Sequence, residues 1–257
     1  MKQIRGRITV LLISAGVLAA CVAPAGADLI TVPNSNFDTS ATGYVDTSNT
    51  NLGGGWMFTR YGTAGLAAGI NAVSPVYSDF GDASGNKVFV RWKNGYSGTR
   101  WAAVTSPSLG EMITANSTYT LTVALGNRSD TPFPTGTNQI RLVANGTVIA
   151  YQAVSNALAN QPASGTWANY TISFTTDDLG LITTSPGYGQ TISTGVNVLG
   201  QDLKIVLYAE DKSSGGPHDI EFDSIRLDKI VTPIPEPATM ALLGLGGVGA
   251  LLRRRRR

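Results

Sequence analysis

Apolar and polar residues alternate in several short segments along the middle of the chain. The clearest segment covers residues 118–125, where tyrosine, leucine and valine alternate with threonine and alanine. A period of two residues is typical of a β-strand that buries one face. The same pattern recurs at residues 88–92, 140–144, 148–150, 170–174 and 203–207. Because no helical segments alternate with these strands, the pattern predicts an all-β sandwich.

Two local signals sharpen this prediction. Asn145 and Gly146 separate two alternating runs, and both residue types tolerate the positive φ angles of a type I′ turn, so they predict a β-hairpin. In the last alternating segment the apolar residues change parity after Phe222. One extra residue near Asp223 and Ser224 would return the following apolar residues to the core, which predicts a β-bulge.

The C-terminal segment carries three features in a fixed order. A Pro-Glu-Pro triplet (Pro235, Glu236 and Pro237) is followed by an apolar run at residues 238–252. A basic cluster follows the run: Arg253, Arg254, Arg255, Arg256 and Arg257. A helix over the run would be about 22 Å long, slightly short of a bilayer core, and the arginines favour the cytoplasmic side. The run is therefore predicted to be a short transmembrane helix.

This layout resembles the PEP-CTERM sorting signal of Gram-negative bacteria. The resemblance implies an exosortase as partner, a membrane protease that cleaves near the Pro-Glu-Pro triplet. It also implies transient anchoring in the inner membrane, followed by delivery to the cell surface or the extracellular matrix. Proteins with such a tail are typically associated with exopolysaccharide and biofilm, and the resemblance implies the same association here.

The N-terminal segment predicts export by the Sec route. Lys2, Arg5 and Arg7 precede an apolar stretch, and Ala25 and Ala27 form a small-x-small cleavage site for a signal peptidase. The sequence around Cys21 also resembles a lipobox, in which that cysteine would be acylated and become the mature N-terminus. Cleavage after Ala27 is our prediction, and lipoprotein processing is the alternative.

The charge distribution excludes one class of partner. Eight of the 19 basic residues and one of the 17 acidic residues lie in the two terminal segments, so the body carries a net charge of about −5. Nucleic-acid binding needs a clustered basic face, so no nucleic-acid partner is expected. The predicted organisation is a signal peptide at 1–27, a β-sandwich at 28–232 and a sorting signal at 233–257.

The body resembles the galactose-binding-like jelly rolls, which include many carbohydrate-binding modules. Residues 32–38 open it, a strand that starts at Trp167 lies in its middle, and residues 220–227 close it. The resemblance implies a single jelly-roll β-sandwich. It also implies a structural calcium ion where the first and last strands meet, with Asp38 and Asp223 at the matching positions. No other cofactor is expected.

Aromatic side chains on predicted loops and strand ends are the candidates for glycan binding, because sugars stack on aromatic rings. They are Trp56, Tyr61, Tyr96, Trp101 and Tyr188. Trp56 follows three glycines and is the best candidate for an exposed platform, with burial in the core as the alternative.

The sequence contains no familiar catalytic motif. It therefore predicts a non-catalytic, exported module that binds glycan or exopolysaccharide. His218 is interpreted as a surface-loop residue, and no catalytic residue is assigned. Glu221 and Asp223 share one face of a strand, so the alternative is a secreted glycan hydrolase that uses this carboxylate pair. If they are not catalytic, they are expected to face solvent. A structural surface protein without a ligand is the third interpretation.

Overall fold

The computed structural model describes residues 26–38, 43–45, 47–61, 66–71, 87–92, 99–183, 190–212 and 217–232. Within them, Ala27–Ile230 forms one unit, and the fold below is that of this unit. Several sequence-based predictions lie outside the described residues. They concern Cys21, Ala25, Tyr96, Tyr188, the Pro-Glu-Pro triplet, the apolar run and the arginine cluster.

The strands, numbered β1 to β15 in chain order, form two antiparallel sheets. Sheet A has the order β12 (Ile182–Thr183), β11 (Thr166–Thr176), β8 (Ser117–Asn127), β15 (His218–Val231), β6 (Lys87–Trp92), β5 (Leu66–Asn71) and β2 (Gly43–Val45), and β1 (Ala27–Ile30) pairs with β15. Sheet B has the order β13 (Gln190–Ile192), β10 (Thr147–Val154), β9 (Asn138–Ala144), β14 (Leu203–Asp211), β7 (Arg100–Thr105), β4 (Met57–Tyr61) and β3 (Thr50–Asn51).

The predicted all-β sandwich is confirmed. In the described part of the chain the helical structure is one short 3-10 helix, Asn156–Leu158. No helix among the described residues has the length and apolar character that crossing a membrane requires.

The core lies between the two sheets and is filled by the alternating residues that the sequence pattern singled out. Tyr119 and Leu121 of β8 are buried, and so are Ile205 and Leu207 of β14. The Tyr119 ring stacks on Phe174 of β11 with centroids 5.0 Å apart. Burying a side chain of this size stabilises the fold by about 1.5–3 kcal/mol, so the alternation itself selects the sandwich.

The predicted hairpin is confirmed. Asn145 and Gly146 have φ angles of 45° and 81°, as a type I′ turn requires. Ala144 pairs with Thr147 on either side of this turn, which joins β9 to β10.

The predicted irregularity in the last strand is also confirmed. Ser224 has a φ angle of 49°, which lies in the left-handed region. Ile225 and Leu227 beyond it are in the same core cluster as Ile220 and Phe222 before it. The extra residue therefore keeps the apolar side chains inside, and it leaves the acidic residues of the strand on the other face of sheet A.

Candidate functional site

Three carboxylates follow one another along the face of β15 that points away from the core. Strand alternation places Asp219, Glu221 and Asp223 on this face, opposite to the core residues Ile220 and Phe222. We call these three residues the acidic row. All three are fully buried. The expectation that Glu221 and Asp223 face solvent is therefore wrong, because charged and aromatic side chains from neighbouring segments cover this part of sheet A.

Two arginines neutralise the first part of the acidic row. Arg91 lies opposite Asp219 in the pairing of β6 with β15. Its Nη2 and Nε donate to Asp219 Oδ2 at 2.6 and 3.0 Å. Arg128, which follows β8, donates from Nη1 to Glu221 Oε1 at 3.1 Å, and its Nε lies 3.8 Å from Asp219 Oδ2. Charged groups without solvent need such partners, so the arginines make burial of the row tolerable.

Asp219 nevertheless keeps unsatisfied bonding capacity. Its Oδ1 is buried and has no hydrogen-bond partner among the described residues. Burial raises the pKa of Asp219 to about 7, although Arg91 and Arg128 oppose the shift. A carboxylic acid that is still partly protonated near neutral pH can donate a proton in a reaction.

Asp223 is in a similar state at the other end of the acidic row. Its Oδ1 accepts a hydrogen bond from the Ser224 N–H at 2.7 Å, and its Oδ2 is buried without a partner in the described part of the chain. Burial raises the pKa of Asp223 to about 7, against the effects of Ser224 and of the nearby cation Lys87.

Lys87 is the cation next to Asp223, and it bears on the predicted calcium site. Its side chain is fully buried and its ammonium lies 5.8 Å from the centre of the Trp167 ring. Burial lowers the pKa of Lys87, while Glu221, Asp223 and Asp38 act in the opposite direction.

Calcium requires six to eight oxygen ligands, and no group of three or more His, Cys, Asp or Glu suited to a metal occurs in the described residues. Asp38 is exposed and Asp223 is buried, and the Lys87 ammonium already supplies positive charge near both. Calcium at Asp38 and Asp223 thus stays a prediction, and no functional step below is routed through it.

An open groove lies at the end of the sandwich where β8 leaves sheet A. We call it the end groove. It has a volume of about 590 Å³, and Arg128, Asp130, Pro132, Phe133 and His218 are among its lining residues. Arg128 is shared between the groove and the acidic row. The Asp219 N–H donates to the Pro132 carbonyl at 3.1 Å, so the backbone of Asp219 lies next to the groove wall, and its Oδ2 lies 3.8 Å from Arg128 Nε.

Arg128 is held at the groove by Asp130. Its Nε and Nη2 donate to the two carboxylate oxygens of Asp130, both at 2.8 Å. The Asp130 side chain is 46% exposed whereas that of Arg128 is 9% exposed. Asp130 therefore holds the guanidinium from the solvent side, while Glu221 and Asp219 hold it from the buried side.

A second buried charge cluster borders the end groove. His218 Nδ1 lies 3.2 Å from Asp211 Oδ2, and Arg100 Nη2 donates to the same oxygen at 3.1 Å. Thr135 donates to Asp211 Oδ1 through its backbone N–H and its hydroxyl, at 3.2 and 3.0 Å. His218 is 7% exposed, so its interpretation as a surface-loop residue is wrong. The imidazole is oriented by a carboxylate, which is how a proton-transferring histidine is commonly held.

Trp56 and Trp101 lie in different parts of the sandwich, while Tyr96 and Tyr188 lie outside the described residues, so the set of glycan candidates as a whole stays a prediction. Trp56 is fully buried, its Nε1–H donates to the Pro33 carbonyl at 2.8 Å, and its ring contacts Phe37. It cannot serve as an exposed platform, because the glycine turn before it folds the indole into the core. Trp101 is half-buried on the outer face of sheet B. Tyr61 pairs with Trp101 through the backbone of the neighbouring strand.

Sequence reasoning missed the arginines and Asp219. A signal was present, since acidic residues alternate with apolar ones at three successive positions of one strand. When arginines are present elsewhere in the sheet, such a pattern indicates a sheet face of buried ion pairs. Which arginine pairs with which acid depends on the register between the strands. Sequence spacing alone does not give this register, because Arg91 and Asp219 are 128 positions apart.

The terminal and central parts of the chain match two families. Residues 233–257 match the PEP-CTERM protein-sorting motif, which confirms the resemblance seen in the sequence. Such a motif implies an exported protein that is sorted by an exosortase. Residues 28–228 match the family described as HpiC1 cyclase. This match contradicts the expectation that the protein is not an enzyme, which was based on the lack of a familiar catalytic motif.

Solved structures give the same picture of the fold. A cyclase from Fischerella sp. TAU has a TM-score of 0.54 and 20% identity, over 81% of this chain and 100% of its own. A Stig cyclase from the same organism was solved in complex with (3Z)-3-(1-methyl-2-pyrrolidinylidene)-3H-indole. It has a TM-score of 0.53 and 21% identity, over 81% of this chain and 100% of its own.

A carbohydrate-binding module of the β-sandwich superfamily is similar at a TM-score of 0.42 and 11% identity, over 74% of this chain and 62% of its own. The sandwich resembles this module in general form, and the likeness is too distant to carry a functional conclusion. No curated protein sequence matches the chain significantly.

Proposed function

Because the chain belongs to the HpiC1-like family, we propose that its sandwich is an exported enzyme that catalyses an acid-promoted cyclisation of a small organic substrate. The substrate binds in the end groove, and Asp219 is the proton donor. The observation that carries the proposal is the position of Asp219. It is a fully buried acid with one unpartnered oxygen among the described residues, and it lies behind Arg128 and Pro132 of the groove wall.

The reaction that this arrangement supports is an isomerisation. Asp219 transfers its proton to an unsaturated carbon of the substrate, the resulting cation is attacked by a second π-bond of the same molecule, and a carbon–carbon bond closes the ring. Loss of a proton from the cyclised cation restores neutrality, so the product has the mass of the substrate. His218, oriented by Asp211 at the groove, is placed to accept that proton. Exchange with water then removes the proton from His218 and returns one to Asp219, which restores the starting state.

The arginines prepare Asp219 for this step. The carboxylate that forms on proton transfer is stabilised by Arg91, which already donates two hydrogen bonds to Oδ2. Arg128 closes the groove wall in the free protein and shifts towards Asp130 when substrate enters, since Asp130 holds it by two further bonds.

The hydrolase alternative is less well supported. Glu221 is held by Arg128 Nη1 at 3.1 Å and has no exposed surface, and Asp223 lies on the far side of it from the end groove. The two carboxylates therefore do not flank an open cleft in which a glycosidic bond would lie.

Export determines where the enzyme works. We propose that signal peptidase cleaves after Ala27 and that the apolar run at 238–252 holds the protein briefly in the inner membrane. Exosortase cleavage near Pro235, Glu236 and Pro237 then delivers the sandwich to the cell surface or the extracellular matrix. Mass spectrometry of the mature termini from the native host tests this route; an acylated Cys21 or an uncleaved tail would contradict it.

The catalytic proposal is tested with the full chain in mild detergent and a set of alkenyl-substituted indoles, the ring system bound by the related Stig cyclase. Chromatography coupled to mass spectrometry should reveal a ring-closed isomer of unchanged mass, and turnover in D₂O should place one deuterium on a carbon. Asp219→Asn keeps the shape of the side chain and should lower turnover by about 10²-fold or more. Asp228→Asn, on the same strand but paired with the exposed Arg226, should leave turnover unchanged.

Two results would contradict the assignment. One is undiminished turnover by Asp219→Asn with an unchanged urea midpoint. The other is an activity that rises above pH 7, because an acid that must donate its proton loses activity as it ionises.

A further inference from the structure

The outer face of sheet B carries a row of aromatic and cationic side chains far from the acidic row. Strand alternation places Trp101 of β7, Tyr208 of β14, Arg141 of β9 and Tyr151 of β10 on this face, and all four are half-buried. We call these four residues the outer strip. They occupy four adjacent strands of one sheet. Three inter-strand spacings give the strip a length of about 14 Å.

The members of the outer strip contact one another in order. The rings of Trp101 and Tyr208 are 5.8 Å apart and tilted by 32°. The Arg141 guanidinium carbon lies 3.7 Å from the centre of the Tyr208 ring. Arg141 in turn is paired directly with Tyr151 across the strands. The strip is thus a continuous surface of π-systems, fixed by strand geometry rather than by loops, and it needs little reorganisation to receive a ligand.

Arg141 is positioned for a ligand by its neighbours. Its Nε donates to Gln139 Oε1 at 2.7 Å, and stacking on Tyr208 fixes the plane of the guanidinium. No carboxylate lies within salt-bridge distance of Arg141 in the part of the chain that the structure describes. Glu210 acts on Arg141 through its charge, but its Oε2 accepts from the Thr137 N–H at 3.0 Å and lies 3.5 Å from Lys212 Nζ. A rigidly held guanidinium that forms no salt bridge is suited to bind a carboxylate of another molecule.

A shallow groove beside the outer strip adds a second cation. It has a volume of about 430 Å³ and is lined by Arg141, Lys204, Thr105 and Asn145 among others. Among the described residues, Lys204 likewise has no carboxylate within salt-bridge distance. The acid of this groove, Asp202, accepts a hydrogen bond from the Ser108 hydroxyl at 2.7 Å. The groove therefore presents net positive charge on a body whose overall charge is about −5.

We propose that the outer strip and this groove bind an acidic polysaccharide. Sugar rings stack on the exposed parts of Trp101, Tyr208 and Tyr151, while uronate carboxylates pair with Arg141 and Lys204. The PEP-CTERM motif supports an extracellular occupant of this kind, because it implies that the protein is exported. The site lies on the opposite sheet from Asp219, so it does not depend on the catalytic proposal; it would hold the enzyme in the matrix.

The test uses the full chain in mild detergent with polygalacturonate and with its methyl ester as probes. The two polymers share a backbone, and the ester lacks the negative charge. Affinity electrophoresis and calorimetry should detect binding of polygalacturonate that weakens as salt is added, and at least about tenfold weaker binding of the ester.

Arg141→Gln and Tyr208→Ala should each weaken binding of polygalacturonate by about tenfold, the loss expected for one charge-assisted contact or one stacked ring. Arg226→Gln is the matched control, because this exposed arginine lies on sheet A with a 64% exposed side chain. It should bind as the unchanged protein does. Urea midpoints of all variants verify that the fold is retained, and Tyr208→Phe should preserve binding if Tyr208→Ala proves unstable.

Three outcomes would overturn the proposal. The polymers could bind equally well or not at all. Arg141→Gln could match Arg226→Gln in affinity. Sedimentation could instead show self-association that Tyr208→Ala abolishes in the absence of polysaccharide, which would make the strip an interface between two copies of the chain.

Discussion

Replacing Asp211 by alanine should destabilise the sandwich more than any change at a surface acid. Arg100 is 3% exposed. Its Nη2 donates to Asp211, and its Nε and Nη1 have no hydrogen-bond partner among the described residues. The substitution would leave a buried, unpaired cation. It would also remove the acceptor of two hydrogen bonds from Thr135 and the partner of His218.

The expected loss follows from the desolvation of the guanidinium. Breaking a buried ion pair by removing one partner costs about 3–5 kcal/mol. With a urea m value of about 2–3 kcal/mol/M, the unfolding midpoint should fall by about 1–2.5 M. Tryptophan fluorescence of the full chain in mild detergent measures this midpoint.

Two further variants test whether the loss of stability comes from the unpaired, buried charge of Arg100. Asp228→Ala removes the acid of the exposed pair with Arg226 and should hardly change the midpoint. In the double variant Arg100→Met/Asp211→Leu no charge of this pair remains buried, so much of the lost stability should return. If Asp211→Ala shifted the midpoint no more than Asp228→Ala does, or if the double variant were less stable than the single one, the reasoning would be refuted.

Three other predictions concern the same unit. Burial raises the pKa of Asp223 to about 7 from 3.8, so the folded state binds more protons than the unfolded state between these values. Its contribution to stability is therefore present below about pH 4 and is lost as the pH rises towards 7, and Asp223→Asn should flatten that part of the urea midpoint's pH profile. Gly146→Ala should cost about 1–2 kcal/mol by urea titration, because the turn needs a φ of 81° while nothing lies within 4 Å of the added Cβ. Gly126→Ala should cost about 1–3 kcal/mol, because its Cβ would lie 2.7 Å from the Trp167 ring, and Trp167→Leu in the same chain should relieve the loss.

The fold could be predicted from the sequence because its main determinant is local. Alternation on β8 and β14 specifies which side chains enter the core, and the Asn145–Gly146 turn specifies one register. The irregularity at Ser224 was also visible, since a change of parity in one strand has few structural solutions.

The candidate site could not be predicted in the same way, because it depends on contacts between distant strands. Asp219 meets Arg91 through the pairing of β15 with β6, and Arg128 arrives from a third segment. The burial of Trp56 was equally non-local, since its indole binds the carbonyl of Pro33, 23 positions away. Residue types identified the chemistry available, and only the register decided which groups meet.

The family match supplied what neither composition nor motif could. The sequence lacks a familiar nucleophile or metal signature, which favoured a binding module. Acid catalysis by a buried carboxyl, as proposed for Asp219, needs no such signature, because it would depend on burial and on an oxygen that has no hydrogen-bond partner among the described residues. A site of this kind is visible in three dimensions and has little trace in residue order.

Titration of the Asp219 carboxyl by ¹³C NMR tests the central claim most directly. The full chain is labelled at its aspartate carboxyl carbons, and Asp219→Asn assigns the resonance by its loss. The account predicts a carboxyl that still carries its proton at about pH 6 and ionises near pH 7. A resonance that has completed its titration by about pH 5, as that of an ordinary aspartate does, would contradict a proton donor at this position.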